Sequence, residues 1–236
     1  MIIFSIDIDW APEPIIQDTL DLFEEYHVKC TLFATHKSHS IDNCSRNLFE
    51  VGIHPNFNFL LEGKGGHYTT VIDDLLNIYP EAKGVRSHSI TQNSAILDFF
   101  VKRGLVYDSN NLMPYQKNCS PFFLWNGLLK IPYVWEDDVH WEFGKSFDKI
   151  EIDLSDSSLK VFAFHPMHIF LNTKNSEMYN LSKPFYKDYV NLKKFVNTET
   201  TGARTALIEL LKFVEKSQLE SKTLIDFSIG FKKNNL

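Results

Sequence analysis

Short runs of strand-forming residues alternate with amphipathic segments of helical length through the first 110 residues, and few architectures accommodate that rhythm. The run "MIIFSID" (1–7) is followed by "EPIIQDTLDLFEEYH" (13–27), where Ile15, Ile16, Leu20, Leu22 and Phe23 share one helical face and Pro14 suits a first turn. "VKCTLFAT" (28–35) and "EVGIH" (50–54) read as strands, and "TTVIDDLLNIYP" (69–80) as a helix stopped by Pro80. "KGVRSHS" (83–89) and "GLVYDS" (104–109) are strands again, separated by a helix over 93–104 that Gly104 closes. Strand and helix in alternation imply parallel strands joined by crossover helices, an α/β class. The stretch 119–164 departs from this pattern: "FFLWNGLLKIPYVW" (122–135), "DKIEIDL" (148–154) and "LKVFAFH" (159–165) make it an irregular, β-rich segment. Residues 172–200 read as a long surface loop with a short helix, 202–217 as a helix and "TLIDFSIGF" (223–231) as a closing strand. The 236 residues suit a single domain.

The composition excludes several functions. A formal charge of -6 provides no basic field for nucleic acid. No window approaches the roughly 18 apolar residues of a membrane span, and no cationic, apolar leader opens the chain, so a cytoplasmic protein is expected. Cys30, Cys44 and Cys119 are odd in number and widely spaced, which fits neither a disulfide framework nor a CxxC zinc site. Nothing in the sequence fixes an oligomeric state.

Polar residues of the ligand type gather where apolar runs end. Asp7 with Asp9, His54, Arg86 with His88, and His165 with His168 each follow a separate strand-like run. Those positions are the C-terminal ends of strands, where parallel β/α barrels assemble their active sites. Asp7 and Asp9 are two apart on one strand, on the same side and about 7 Å apart along it. Two carboxylates so close repel unless cations sit beside them. A helix cap at Asp9 is the plainer reading, and a metal ligand beside a general base the sharper one.

"FSIDID", "VKCTLFAT", "EVGIHPNFN", "GVRSHS" and "FAFHP" resemble, in order, the signature segments of the NodB-like polysaccharide deacetylases. That resemblance implies a distorted, irregular (β/α) barrel and metal-dependent removal of an N-acetyl group from an acetamido sugar. It implies Asp7 as catalytic base and Asp9 as metal ligand. The family's second motif supplies two histidines at i and i+4; here His54 is the first, but Asn58 stands at the second. Asn58 has three readings: it ligates through its amide oxygen, holds a bridging water, or is replaced by another nearby histidine. Arg86 corresponds to the arginine that orients the base. "VWEDDVHW" (134–141) is the similar stretch for the acidic group that holds this arginine, with Asp137 and Asp138 as candidates. His165 matches the general acid. His88, His168 and Trp10, beside these residues, are assigned to substrate binding, and one divalent metal ion, zinc foremost, is the expected cofactor.

Other classes share parts of this pattern. Asp-x-Asp after a first strand also opens the haloacid-dehalogenase-like phosphatases, but that reading leaves His54, Arg86 and His165 without a role. A barrel that binds sugar without turning it over would explain Asn58, but not the presence of both base and acid. The expected substrate is a saccharide intermediate of surface polysaccharide assembly, an inference by analogy of fold.

Overall fold

The computed structural model describes residues 1–235. Its strands are β1 (Ile2–Asp7), β2 (Cys30–Ala34), β3 (Phe49–Ile53), β4 (Gly84–Val85), β5 (Tyr107–Asp108), β6 (Phe122–Phe123), β7 (Leu129–Lys130), β8 (Trp135–Glu136) and β9 (Lys160–Phe164). They form one curled sheet in the order β6-β7-β5-β4-β3-β2-β1-β9-β8. All neighbours pair in parallel except the antiparallel β6 and β7. Helices α1 (Glu13–Glu25), α2 (His39–Asn43), α3 (Asn58–Leu61), α4 (Tyr68–Ile78), α5 (Ser94–Lys102), α6 (Asp137–Glu142), α7 (Pro166–Leu171), α8 (Ser176–Ser182), α9 (Tyr189–Leu192), α10 (Ala203–Lys216) and α11 (Leu224–Asn235) complete the chain. This is the mixed α/β, half-barrel form of a distorted NodB-type barrel. Among the described residues no helix is long and apolar enough to cross a membrane.

Period-2 alternation divides each strand between two cores. On β1, Ile2, Phe4 and Ile6 pack outward with Ile15, Ile16 and Phe23 of α1. Ile3, Ser5 and Asp7 face the concave side, where Ile3 meets Phe33, Tyr107, Leu129, Val161 and Leu224. The concave interior therefore runs from apolar at the N-terminal ends of the strands, through Ser5, to polar at Asp7 and His54. Gly84 has no Cβ for a reason: one built there would lie 2.0 Å from the Tyr107 ring.

Two segments differ from the sequence reading. Residues 223–231 form the start of α11 instead of a strand. Thr223 and Asp226 cap it reciprocally: Asp226 N–H donates to Thr223 Oγ1 at 3.2 Å, and Thr223 N–H to Asp226 Oδ2 at 3.3 Å. Leu224, Phe227 and Phe231, spaced by three and four, then face the concave core as a helix allows. The helix N-terminus closes the bottom of the sheet, where Leu224 N–H donates to Thr31 Oγ1 and Ile225 N–H to the half-buried Glu50. Residues 148–154 keep their alternating exposure, with Ile150, Ile152 and Leu154 on the outer core, yet pair with no strand. Asp153 instead accepts from the N–H and hydroxyl of Ser155, a local turn that diverts the backbone. The 172–200 region holds α8 and α9 with two short 3-10 turns.

A candidate metal-dependent active site

Of the sequence-predicted residues, Asp7, Asp9, His54, Arg86, His88, Asp138 and His165 line a cavity of about 240 Å³ at the C-terminal ends of β1, β3, β4, β8 and β9. Asp7 is the last residue of β1, and its backbone turn places Asp9 at the rim. Ala11 N–H bonds to Ile8 O and Trp10 N–H to Thr35 Oγ1. His54 follows β3 directly, its N–H donating to Ala34 O of the neighbouring strand. Arg86 and His88 leave β4 with their N–H groups bonded to Ile53 O and Pro55 O. Two consecutive left-handed residues shape each of the two rim loops: Asp9 and Trp10 at φ 42° and 56°, Ser89 and Ile90 at 55° and 48°. Such a backbone costs about 1–2 kcal/mol per non-glycine residue, and β-branched Ile90 is a marked exception to ordinary preference. The strain falls on the loops that aim Asp9 and His88.

Asp9 Oδ1 lies 3.2 Å from His54 Nε2 and 3.0 Å from His88 Nδ1, so one carboxylate and two imidazoles converge. Burial pushes the Asp9 carboxyl up, but hydrogen bonds from both histidines and the nearby His165 charge outweigh it and hold Asp9 well below the usual range. His54 Nδ1 is buried without a hydrogen-bond partner, 3.9 Å from Asp7 Oδ1. One carboxylate and two imidazoles whose ligand atoms converge suit a site built for a cation, and this donor set fits zinc or a similar dication. Asn58 sits elsewhere: its amide donates to Ser89 Oγ at 3.3 Å, and it does not line the cavity. His88, which the sequence reading gave to substrate binding, occupies the third corner beside Asp9.

Arg86 is wholly buried, stacked between Phe33 and Tyr133 with its guanidinium carbon 4.7 and 4.1 Å from their ring centres. It donates to Asp7 Oδ1 at 3.0 Å, Ser5 Oγ at 2.9 Å, and both the carbonyl and hydroxyl of Ser109. The expected acidic partner from the 134–141 stretch is absent from this set, because Asp137 is engaged by another group. Asp137 Oδ2 accepts the His165 backbone N–H and Oδ1 lies 2.7 Å from His165 Nδ1. Burial opposes charge on His165, but the Asp137 carboxylate and its hydrogen bond dominate and raise the imidazole well above its ordinary pKa. His165 Nε2 is left facing the cavity, 3.8 Å from Asp9 Oδ2 and 4.0 Å from Glu136 Oε1.

The residues predicted to touch substrate separate. Trp10 is 50% exposed and sets its ring edge-on to His88 at 5.2 Å. His168 is buried, packed edge-on against His165, Trp141 and Tyr179, with burial driving its pKa well below normal. Its ring centre lies 5.3 Å from that of His165. Asp138 lines the cavity. Glu136, Ser5, Ser109 and Tyr133 were missed. Ser5 was findable, since it shares the face of Asp7 two residues earlier, and Glu136 is the first carboxylate of "EDD". Ser109 and Tyr133 carry no signal of their own. A larger groove, about 540 Å³ between α10 and residues 147–154, contains none of these groups.

Comparisons with known proteins identify relatives of this chain and fold. The profile of a WbmS-like family, described as polysaccharide deacetylase, matches residues 4–183. A Bordetella bronchiseptica crystal structure, described as a presumptive polysaccharide deacetylase involved in O-antigen biosynthesis, is 38% identical over 90% of each chain, with a TM-score of 0.82. The Bc1960 peptidoglycan N-acetylglucosamine deacetylase shares the fold at 13% identity, TM-score 0.52, over 94% of this chain and 85% of its own. A Thermococcus litoralis 4-alpha-glucanotransferase does so at 10% identity, TM-score 0.54, over 96% of this chain and 37% of its own. A search of curated proteins finds no match. The length of the profile match and the level of identity place this chain in the WbmS-like family of polysaccharide deacetylases.

Proposed function

We propose that the protein is a metal-dependent hydrolase that removes an N-acetyl group from an acetamido sugar of a surface polysaccharide or its precursor. One observation carries this reading: a carboxylate–arginine pair and a carboxylate–histidine pair open into the same cavity as the Asp9–His54–His88 cluster. Amide hydrolysis needs an activated water, a stabilised oxyanion and a proton for the departing nitrogen. Asp9, His54 and His88 would hold a divalent cation, zinc foremost; such a cation, when bound, polarises the acetyl oxygen and acidifies water. Asp7 takes the water proton. Arg86 fixes that carboxylate in place, since its guanidinium is itself clamped by Ser5 and Ser109. His165 delivers a proton from Nε2 to the nitrogen, while Asp137 holds the other ring nitrogen and favours the protonated state. The description of the Bordetella relative supports a surface-polysaccharide substrate.

The test is acetate release from a panel of 2-acetamido sugars by metal-loaded protein, with and without chelator. Acetate formed only by the metal-loaded form is the expected result. Phosphate release from sugar phosphates, without acetate, would overturn the reading.

A further inference from the structure

The roles assigned above leave Glu136 unused, although it lines the same cavity. It ends β8, and its side chain is 12% exposed. Its Oε2 accepts the Tyr133 hydroxyl at 3.3 Å, and its Oε1 faces His165 Nε2 at 4.0 Å. That gap is too long for a hydrogen bond, but two atoms so placed can each reach, at about 2.8–3.0 Å, a single atom between them. The atom that His165 must reach is the substrate nitrogen. It arrives carrying one hydrogen and needs an acceptor for it.

We infer that Glu136 Oε1 recognises the reacting nitrogen, accepting the amide N–H of the substrate and then holding the ammonium of the product. This rests on the deacetylase reading. In that reaction the C–N bond breaks and a C–O bond forms to the water oxygen. The nitrogen keeps its hydrogen, gains one proton from His165, and takes the proton of the nascent acetic acid, leaving ammonium and acetate. A cation thus arises where the substrate was neutral, and Glu136, whose carboxyl burial pushes up to about 8, is drawn to its ionised form as the ammonium appears beside it. The geometry makes Glu136 a selector for amides over esters, because an ester offers no N–H.

The experiment compares metal-loaded wild type with Glu136→Gln on matched sugars. Probes are 2-acetamido-2-deoxyhexoses and their 1-phosphates, the corresponding 2-O-acetyl esters, and the corresponding 2-amino sugars as inhibitors. Expected are a loss of tenfold or more on the amides with the esters nearly unchanged, and inhibition by the amino sugar weakened by tenfold or more. Equal losses on amide and ester, or undiminished inhibition, would overturn the role of Glu136 while leaving the deacetylase reading intact. Absence of acetate from every wild-type reaction would overturn both. Should Glu136→Gln fail to fold, Glu136→Asp withdraws the carboxylate by one methylene, and the same amide-to-ester ratio decides.

Discussion

Asp137 grips His165 at two points, with one carboxylate oxygen 2.7 Å from Nδ1 and the other accepting the backbone N–H at 2.8 Å. The grip fixes both the orientation of the ring and its charge. Asp9 and Glu136 face its other nitrogen and His168 packs against the ring. Asp137→Asn keeps the shape but removes the charge that raises the His165 pKa, so the imidazole loses its proton at a lower pH. A general acid works only while protonated, so the alkaline limb of the pH–rate profile should move down. The maximal rate should fall on the order of 10²–10⁴-fold. An unmoved alkaline limb in acetate-release kinetics would remove His165 from the acid role.

The proposed cation site makes unequal demands on four residues. Asp9→Ala, His54→Ala and His88→Ala should each purify with little metal, whereas Asn58→Ala should retain the wild-type stoichiometry. Elemental analysis of folded variants decides this. Metal lost from Asn58→Ala but retained by His88→Ala would restore the i, i+4 ligand pattern and displace His88.

Asp7→Asn should separate base from ligand. The amide keeps nearly the same volume but cannot take a proton, so turnover should fall on the order of 10²–10⁴-fold with metal content unchanged. If added metal rescues the variant, Asp7 is a ligand and not the base.

Arg86→Leu tests what the same pair does for the fold. It strands Asp7 as a buried, uncompensated charge, which typically costs about 3–5 kcal/mol. The midpoint of urea unfolding should drop accordingly, and a drop within error would count against the pair's part in holding the fold.

Glu50 lies at the opposite end of the sheet, where it accepts from Tyr107 Oη, Thr31 Oγ1 and Ile225 N–H. Burial pushes its carboxyl up to about 7, against the hydrogen bonds that favour ionisation and with Asp226 nearby reinforcing the rise. A folded pKa above the unfolded value means that the contribution to stability is fully present below about 4.5 and is lost as pH rises to about 7. The loss is on the order of 3 kcal/mol at about 1.4 kcal/mol per unit. Glu50→Gln should flatten this segment of the curve; parallel curves for variant and wild type across pH 4.5–7 would count against the burial account.

The sequence made the strand ends legible because two constraints coincide there. Ile3, Ser5 and Asp7 must alternate with Ile2, Phe4 and Ile6 to serve two cores, and the last inward position opens on solvent and can carry charge. The same logic exposes His54, Arg86 and His165. The closeness of His88 to Asp9 was not legible because it depends on the loop after β4, whose left-handed Ser89 and Ile90 have no signature in those residue types. The Asp137–His165 pairing was hidden for a related reason: α6 begins at Asp137, and only its three-dimensional start decides which carboxylate turns inward. At 223–231, β-branched and aromatic residues suggested a strand, while the three-and-four spacing and the Thr223–Asp226 cap favoured the helix that forms.

The central position of β1 also bears on how the chain is made. Synthesis produces β1 first, and β2 can cover one of its edges within some thirty residues. The other edge waits for β9, which begins only at Lys160. While the ribosome adds the residues between, an apolar strand carries a row of unpaired N–H and C=O groups open to any other extended segment. Contacts of such long sequence separation form slowly, because a large loop must close before they are gained. Productive folding of this sheet therefore waits until β9 has been made, and nascent chains halted before residue 160 should depend on chaperones to stay in solution.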